Sequence, residues 1–327
     1  KTEVTYSDLD DTATNLALNF LDIGLRSGDH VVLQLGNVLE FVYTYFAFLK
    51  IGVRPILALH THRYRELKQF VEISKAVAIC TADKSKDCDF SDIVNRIQLE
   101  CPSLKTKVML GEVADGFYSL SSLITKEPTR NPSEIKQIQK TIDPCEPALF
   151  LLSGGTTGIP KLIPRTHNDY VCNSKLAAKH TKIDSSSVLL AVLPIAHNLP
   201  LACPGMQGFM LAGAKVVLHK STRAAEVFGL IEKYKVPFVI TSVGNPTKAV
   251  ERLHEIGTTV FHDVISIKHA HKAIGAGVDG LILVCGGAGG HTGSLNPFAF
   301  VSQVREFWQG TVIVGGAVSN GQTVRAI

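Results

Sequence analysis

The sequence predicts an α/β protein that is built in two different ways. Over the first part, apolar stretches of helical length alternate with short apolar stretches typical of strands, which favours layered helices on a largely parallel sheet. From about residue 236 the predicted strands recur at intervals of about 22–30 residues, the pitch of a (β/α) barrel. We therefore expect a layered domain over residues 1–240 and part of a barrel over residues 241–327.

The elements of the first part follow from apolar periodicity and from residues that begin or end helices. Ser7 can cap a helix over residues 6–24, in which apolar side chains recur at helical spacing before Gly24. Residues 126–146 are polar and carry three prolines, which predicts a connecting loop with a short helix. The other predicted elements are strands at 30–35, 54–59, 76–81, 147–152, 188–192 and 215–218, and helices at 40–50, 65–74 and 224–234.

In the last part, short units of similar length follow one another without a linker. The change to this even spacing falls within residues 236–242, and no stretch rich in Pro, Gly or Ser marks it as a linker. The predicted elements are strands at 236–241, 258–262, 281–285 and 311–314, and helices at 247–256, 267–276 and 298–308.

Composition narrows the classes of function. The 327 residues are 45% hydrophobic and 19% charged, which fits a globular enzyme of two domains rather than a disordered chain. A net charge of +4 without a basic run argues against nucleic-acid binding. The sequence shows neither a signal peptide nor an apolar run long enough to span a bilayer, so we do not expect a membrane protein. The seven cysteines are scattered, without a Cys-x-x-Cys pair or a Cys/His cluster, so we expect no metal site formed by the protein itself. Unpaired cysteines of this kind also favour a location in the reducing cytoplasm.

The most informative stretch is a Gly/Thr-rich loop that follows the apolar strand at 147–152. Such a loop leaves backbone N–H groups unpaired at its tip, where they can bind phosphate oxygens, and a lysine adds a mobile positive charge. The spacing differs from the Walker pattern, so an ordinary P-loop is excluded; a glycine-rich turn with a solvated lysine is the structural alternative. The candidate phosphate-binding residues are Ser153, Gly154, Gly155, Thr156, Thr157, Gly158 and Lys161.

This nonapeptide resembles the phosphate-loop signature of the adenylate-forming (acyl/aryl-AMP ligase) superfamily. Residues 49–55 resemble the helix-to-strand motif of the same family, and residues 161–170 and 193–205 narrow the resemblance to its aryl-acid branch. That branch comprises the 2,3-dihydroxybenzoate and salicylate AMP ligases of siderophore assembly. The resemblance covers roughly residues 4–240 and implies a partial adenylate-forming N-terminal domain of layered sheets and helices.

The resemblance also implies a reaction and roles for single residues. An aryl carboxylate would attack the α-phosphate of ATP and release pyrophosphate, with Lys161 and the loop amides holding the phosphates and Mg²⁺ neutralising charge. His197 would act near the acid carboxylate, Asn198 would hydrogen-bond a ring hydroxyl, and Cys203 would line the pocket. Dihydroxybenzoate members usually carry serine in place of Cys203, and a thiol bonds a second hydroxyl less well, which leans toward salicylate. An aryl carrier protein is the partner implied.

Other features weaken this function. Without the resemblance, His197 is an ordinary loop histidine. The family's later motifs are absent: its fifth-motif acidic residue, its ribose-binding aspartate, its hinge and the lysine of its small C-terminal domain. We therefore expect little or no activity from the chain alone.

Residues 241–327 resemble a different family. The stretches 241–246, 278–293 and 313–321 are similar to nitronate monooxygenase and to FMN-dependent enoyl-ACP reductases. The resemblance implies that Gly286, Gly287, Gly315 and Gly316 bind FMN, and that His291 is the catalytic base that takes a proton from a nitroalkane. Tight barrel loops are the structural alternative for these glycines.

About four of the eight barrel strands are present, so the sequence is interpreted as a chimera. Three functions stay open at this point: an ATP-dependent ligase, an FMN-dependent oxidoreductase, and a non-catalytic fusion of the two.

Overall fold

The computed structural model describes residues 2–85, 88–153, 160–221, 223–289 and 292–326. It divides into two compact units, Lys1–Lys220 and Ser221–Ile327. This division falls earlier in the chain than residue 240, because the helix before that point packs with the second unit: Val227, Phe228 and Ile231 contact the apolar cluster of that unit.

The first unit contains eleven strands and nine helices among its described residues. In chain order they are α1 (Tyr6–Asp22), β1 (His30–Gln34), α2 (Leu39–Lys50), β2 (Arg54–Leu57), α3 (Tyr64–Ser74), β3 (Ala78–Ala82), β4 (Lys84–Ser85), β5 (Cys88–Asp89), α4 (Phe90–Glu100), β6 (Thr106–Leu110), β7 (Tyr118–Ser119), α5 (Leu120–Thr125), α6 (Ser133–Gln139), β8 (Pro147–Leu152), β9 (Leu162–Thr166), α7 (His167–His180), β10 (Val188–Ala191), α8 (Asn198–Ala202), α9 (Gly205–Leu211) and β11 (Lys215–Leu218).

A seven-stranded sheet in the order β7-β6-β3-β1-β2-β8-β9 forms the centre of this unit. All neighbouring strands are parallel except β8 and β9, which pair as an antiparallel hairpin. The largely parallel α/β sheet predicted from the sequence is therefore confirmed. Because β8 runs parallel to β2 and β1, the loop that follows β8 leaves the same edge of the sheet as the carboxyl ends of those two strands.

Successive side chains of the strands point to opposite faces of the sheet, and an apolar cluster covers each face. In β1, Val31 and Leu33 join the apolar cluster that includes Phe20 of α1 and Phe48 of α2, whereas Val32 joins a second cluster with residues of α3 and α4. The rings of Phe20 and Phe48 lie 4.7 Å apart, within the range favourable for aromatic pairs.

The start of α1 differs from the prediction. Thr5, not Ser7, caps the helix: its hydroxyl accepts a bond from the N–H of Asp8, and the Asp8 carboxylate accepts one from the N–H of Thr5. This reciprocal arrangement is a capping box, which satisfies two N–H groups at once and so outcompetes a single serine cap. Elements that the sequence analysis did not predict include α4, β6, β9 and α7.

The second unit contains α10 (Ala224–Tyr234), β12 (Phe238–Thr241), α11 (Thr247–His254), β13 (Thr259–Val264), α12 (Ile267–Gly275), β14 (Gly280–Val284), α13 (Pro297–Arg305), β15 (Thr311–Gly315) and α14 (Gly321–Ala326). Its four strands pair in parallel and in sequential order, β12-β13-β14-β15, with a helix between each pair.

The two faces of this second sheet differ. One face packs against the helices through Val260, Leu281 and the fully buried Phe300. On the other face Ile240 is 55% exposed and Ile313 44% exposed. Among the described residues no further strand pairs with the outer edges of β12 and β15, so the described sheet is open rather than a closed barrel.

No helix in the described ranges has both the length and the apolar character needed to cross a bilayer.

Candidate functional site

The base of the predicted phosphate loop is well defined. The N–H of Ser153 donates to the carbonyl oxygen of Lys161 at 3.0 Å, and the N–H of Lys161 donates to the Ser153 hydroxyl at 2.9 Å. These two bonds extend the hairpin of β8 and β9 and hold Lys161 at the mouth of the loop with an exposed side chain. Gly154, Gly155, Thr156, Thr157 and Gly158 lie outside the described residues.

A buried asparagine fixes the second predicted segment to the same edge of the sheet. Asn37 follows β1 and is 6% exposed. Its amide nitrogen donates to the carbonyl oxygens of Ala191 at 3.0 Å and Leu193 at 2.9 Å, and its amide oxygen accepts from the N–H of Ile195 at 2.9 Å. Asn37 was not among the predicted site residues, and its position just after a buried strand was the only signal for it.

The structure brings two of the predicted acid-binding residues together. Asn198 begins α8 and Cys203 follows its end, and the amide nitrogen of Asn198 lies 3.3 Å from the Cys203 sulfur. The amide nitrogen of Asn173 lies 3.2 Å from the same sulfur. His197 precedes α8 with an exposed side chain, and its N–H donates to the carbonyl of Pro194. The thiol is thus bordered by two amide groups.

One face of helix α7, here called the wall, packs against Asn198 and Cys203. Thr166 caps the helix, and its hydroxyl accepts a bond from the N–H of Asp169. At spacings of three and four residues, Tyr170, Asn173 and Ser174 share one face of α7. These residues contact α8 and α9, so the face is turned toward the segment 198–207.

Tyr170 is a buried donor within this wall. Its hydroxyl donates to the amide oxygen of Asn198 at 3.0 Å, and the side chain is 2% exposed. Burial, and secondarily the nearby Cys203, raises the pKa of Tyr170, so the phenol keeps its proton. The guanidinium of Arg165 lies 4.7 Å from the ring centroid and pairs with Asp169 at 2.6 Å, which holds the ring in place.

A second chain of hydrogen bonds connects α7, α9 and α2. The Ser174 hydroxyl donates to the amide oxygen of Gln207 at 3.0 Å, and the Gln207 amide nitrogen donates to the hydroxyl of Tyr45 at 2.6 Å. Tyr45 is fully buried, and its desolvation raises its pKa well above the ordinary value. These three side chains are therefore neutral and bonded to one another, and they join α7, α9 and α2 without a charged group.

The described part of this site contains no cluster of metal ligands. No three His, Cys, Asp or Glu side chains converge among the residues that the structure describes. Lys161 contributes a cation, and Asn198 and Cys203 contribute neutral groups.

The glycines proposed for FMN lie together in the second unit. The loop after β14 and the loop after β15 approach closely: a Cβ on Gly316 would lie 2.7 Å from the nitrogen of Ala288, and Gly287 and Gly316 both have positive φ. The N–H of Gly286 is already paired with the carbonyl of Leu295 at 2.8 Å, and the carbonyl of Gly315 accepts from Cys285. The glycines therefore meet a packing need of their own, while His291 lies outside the described residues.

A polar cavity of about 160 Å³ lies at the other end of the first sheet. It is bordered by Arg54 at the start of β2, Pro147 at the start of β8, and His167. Burial lowers the pKa of His167. Since the phosphate loop follows the carboxyl end of β8, this cavity is separate from the predicted site, and none of the predicted site residues lines it.

Comparison with known proteins agrees with the layout of the first unit. A family model described as AMP-binding enzyme matches residues 1–286, which extends past residue 240. The chain is 39% identical over 234 residues to a vibriobactin-specific 2,3-dihydroxybenzoate-AMP ligase of Vibrio cholerae, covering 71% of this chain and 41% of that protein. It is 36% identical over 233 residues to a salicyl-AMP ligase / salicyl-S-ArCP synthetase of Mycobacterium tuberculosis, covering 71% and 40%.

A solved structure gives the same result for the fold. The apo structure of Mycobacterium smegmatis MbtA superposes with a TM-score of 0.70 at 32% identity, over 86% of this chain and 51% of that one. The chain thus spans about two fifths of the length of the curated relatives it matches.

Replacing Asn37 by alanine tests the anchor of the 191–195 segment. We expect the free energy of unfolding to fall by about 2–4 kcal/mol, because the carbonyl of Leu193 and the buried N–H of Ile195 lose their partner, whereas the carbonyl of Ala191 keeps its bond from the N–H of His219. Urea unfolding followed by circular dichroism measures the change. Gln137→Ala on the exposed face of α6 is the control and should stay within about 0.5 kcal/mol. A loss for Asn37→Ala as small as that of the control would contradict the anchor.

Proposed function

Because the chain belongs to the AMP-binding enzyme family, we propose that its first unit is the acid-binding part of an aryl-acid AMP ligase. The observation that carries this proposal is the grouping of Asn198, Cys203 and Tyr170 at the sheet edge from which the phosphate loop also leaves. The substrate class proposed is an ortho-hydroxybenzoate, salicylate or 2,3-dihydroxybenzoate. The named relatives, one for each of these acids, support that class.

The proposed reaction joins the acid to AMP. A carboxylate oxygen of the acid forms a bond to the α-phosphorus of ATP, and the bond from that phosphorus to the pyrophosphate oxygen breaks. Lys161 and the amides of its loop would hold the departing phosphates, and His197 would orient the attacking carboxylate. Magnesium, when bound with ATP, supplies neutralising charge. An aryl carrier protein is proposed as the acceptor of the activated acyl group, again by analogy with the relatives.

The apolar and neutral lining gives this pocket its selectivity in the proposal. Burial of a benzoate ring against the residues of α8 removes water, and a small number of placed polar atoms then orients the ring. Cys203 is the group that would face a second ring hydroxyl. Since the thiol is a weaker partner than a serine hydroxyl, salicylate is the acid we favour.

Lys161→Ala tests the phosphate role. ATP affinity should fall by about 1.5–3 kcal/mol, because one charge-assisted contact to phosphate is lost. Calorimetric titration of ATP into each protein measures the difference. Lys140→Ala, at the exposed end of α6, is the matched control. Identical ATP binding by wild type and Lys161→Ala would remove Lys161 from the site.

Cys203→Ser tests the pocket and the reaction together. The variant should favour 2,3-dihydroxybenzoate over salicylate by about 3–10-fold more than wild type does, because a hydroxyl partner replaces a thiol. Both acid binding in competition and acid-dependent pyrophosphate release are measured, with Cys172→Ser on the exposed side of α7 as control. An unchanged preference removes Cys203 from the pocket, and failure of wild type to bind either acid overturns the proposed function.

For the second unit we propose descent from part of an FMN-dependent (β/α) barrel of the nitronate monooxygenase type, with a junction near residue 240. Its support is the sequential parallel order of β12 to β15 and the convergence of the two glycine loops at the carboxyl ends of β14 and β15. The match of the AMP-binding model as far as residue 286 runs against a junction at that point.

This second proposal predicts that flavin binding is not retained. A phosphate needs several free amides that converge, and the amide of Gly286 is already paired. We expect the protein to be colourless after incubation with FMN and desalting, and to leave nitroalkanes unoxidised. A stoichiometric flavin spectrum after desalting would contradict this expectation.

A further inference from the structure

The side-chain amide of Asn198 carries both a donor and an acceptor, and its two neighbours fix how the amide is turned. An asparagine amide carries an acceptor oxygen and a donor nitrogen on the same planar group. In this protein the oxygen is turned toward Tyr170, at 3.0 Å, and the nitrogen toward Cys203, at 3.3 Å. The second N–H of this nitrogen has no acceptor among the described residues.

Tyr170 holds the amide in that orientation. Its phenol O–H is buried, and the bond to Asn198 is the one that the described residues give it. If the Asn198 amide turned over, the phenol O–H would face an NH₂ group and lose its acceptor, and a buried O–H without a partner is costly. Arg165 against the ring and its ion pair with Asp169 keep the phenol from moving away.

The chemistry of the proposed substrate explains why the orientation matters. In salicylate the ortho-hydroxyl donates its proton to the neighbouring carboxylate, so its oxygen offers only lone pairs to the protein. A pocket for this acid must therefore place a donor beside the ortho position. An ortho-amino group differs, because its second N–H points outward and its lone pair is conjugated with the ring, so it needs an acceptor instead.

We infer that Tyr170 is a positioning residue that fixes the Asn198 amide as a donor toward the ortho substituent, and so selects hydroxybenzoates against aminobenzoates. The inference rests on the proposed function, since it requires that Asn198 face the ring. Tyr170 on α7 would thus contact no substrate itself and would act only through Asn198.

The test compares the affinities of three acids for the full chain. Salicylate binding is followed by its own fluorescence, and anthranilate and benzoate are measured by displacement. Wild type should prefer salicylate to both. In Tyr170→Phe the salicylate-to-anthranilate ratio should fall about 5–10-fold, because the amide is free to turn over and accept from the amino group. Tyr6→Phe, which removes a hydroxyl bound to the carbonyl of Ala214 in the same unit, should leave the ratio unchanged.

A double variant and a second substitution separate positioning from loss of structure. In the Asn198→Ala background, Tyr170→Phe should have no further effect on the ratio, since Tyr170 acts through that amide. Asn198→Asp presents only acceptors and should invert the preference toward anthranilate, which provides the test should Tyr170→Phe fail to fold.

The outcomes are distinguishable. A Tyr170→Phe protein that loses affinity equally for all three acids, or keeps the wild-type ratio, overturns the role of Tyr170 but leaves the proposed function in place. A wild-type protein that binds salicylate no better than benzoate overturns both.

Discussion

The buried amide of Asn37 is the interaction on which the candidate site depends. It joins the end of β1 to the segment that leads from β10 into α8: it donates to the carbonyls of Ala191 and Leu193 and accepts from the N–H of Ile195. Buried main-chain groups are nearly always paired, and Asn37 provides the partner for the buried N–H of Ile195. Asn198 and Cys203 stand only a few residues beyond that anchor.

The hairpin of β8 and β9 places a turn at the same end of the sheet as Asn37, the carboxyl end of the central strands. Since β8 is parallel to β2 and antiparallel to β9, the turn between β8 and β9 has to emerge at the carboxyl end of the central strands. The bonds between Ser153 and Lys161 close the base of that turn. Lys161, at the base of the turn, and the segment that carries Asn198 and Cys203 therefore both lie toward the carboxyl ends of the central strands.

The second unit follows a different rule of construction. Four parallel strands in sequential order, each followed by a helix, bury Val260, Leu281 and Phe300 on one face. The opposite face keeps Ile240 and Ile313 exposed. Its glycines serve close approach of two neighbouring loops, as the short distance from Gly316 to Ala288 requires. The AMP-binding family model matches the chain as far as residue 286, which lies within this unit.

The sequence by itself determined the α/β class, most of the strands and helices, and the placement of Asn198 and Cys203 on one short segment. These features depend on periodicity, on capping and turn residues, or on residues only five positions apart, all of which are local along the chain. Tertiary structure alone decided that Asn37 bonds to Ile195, 158 positions away, that Tyr170 bonds to Asn198, and that Asn173 bonds to Cys203. The physical reason is that these contacts arise from the packing of α7 and the end of β1 against α8. No local pattern encodes that packing, because an asparagine after a strand or a tyrosine on a helix fits many folds equally well.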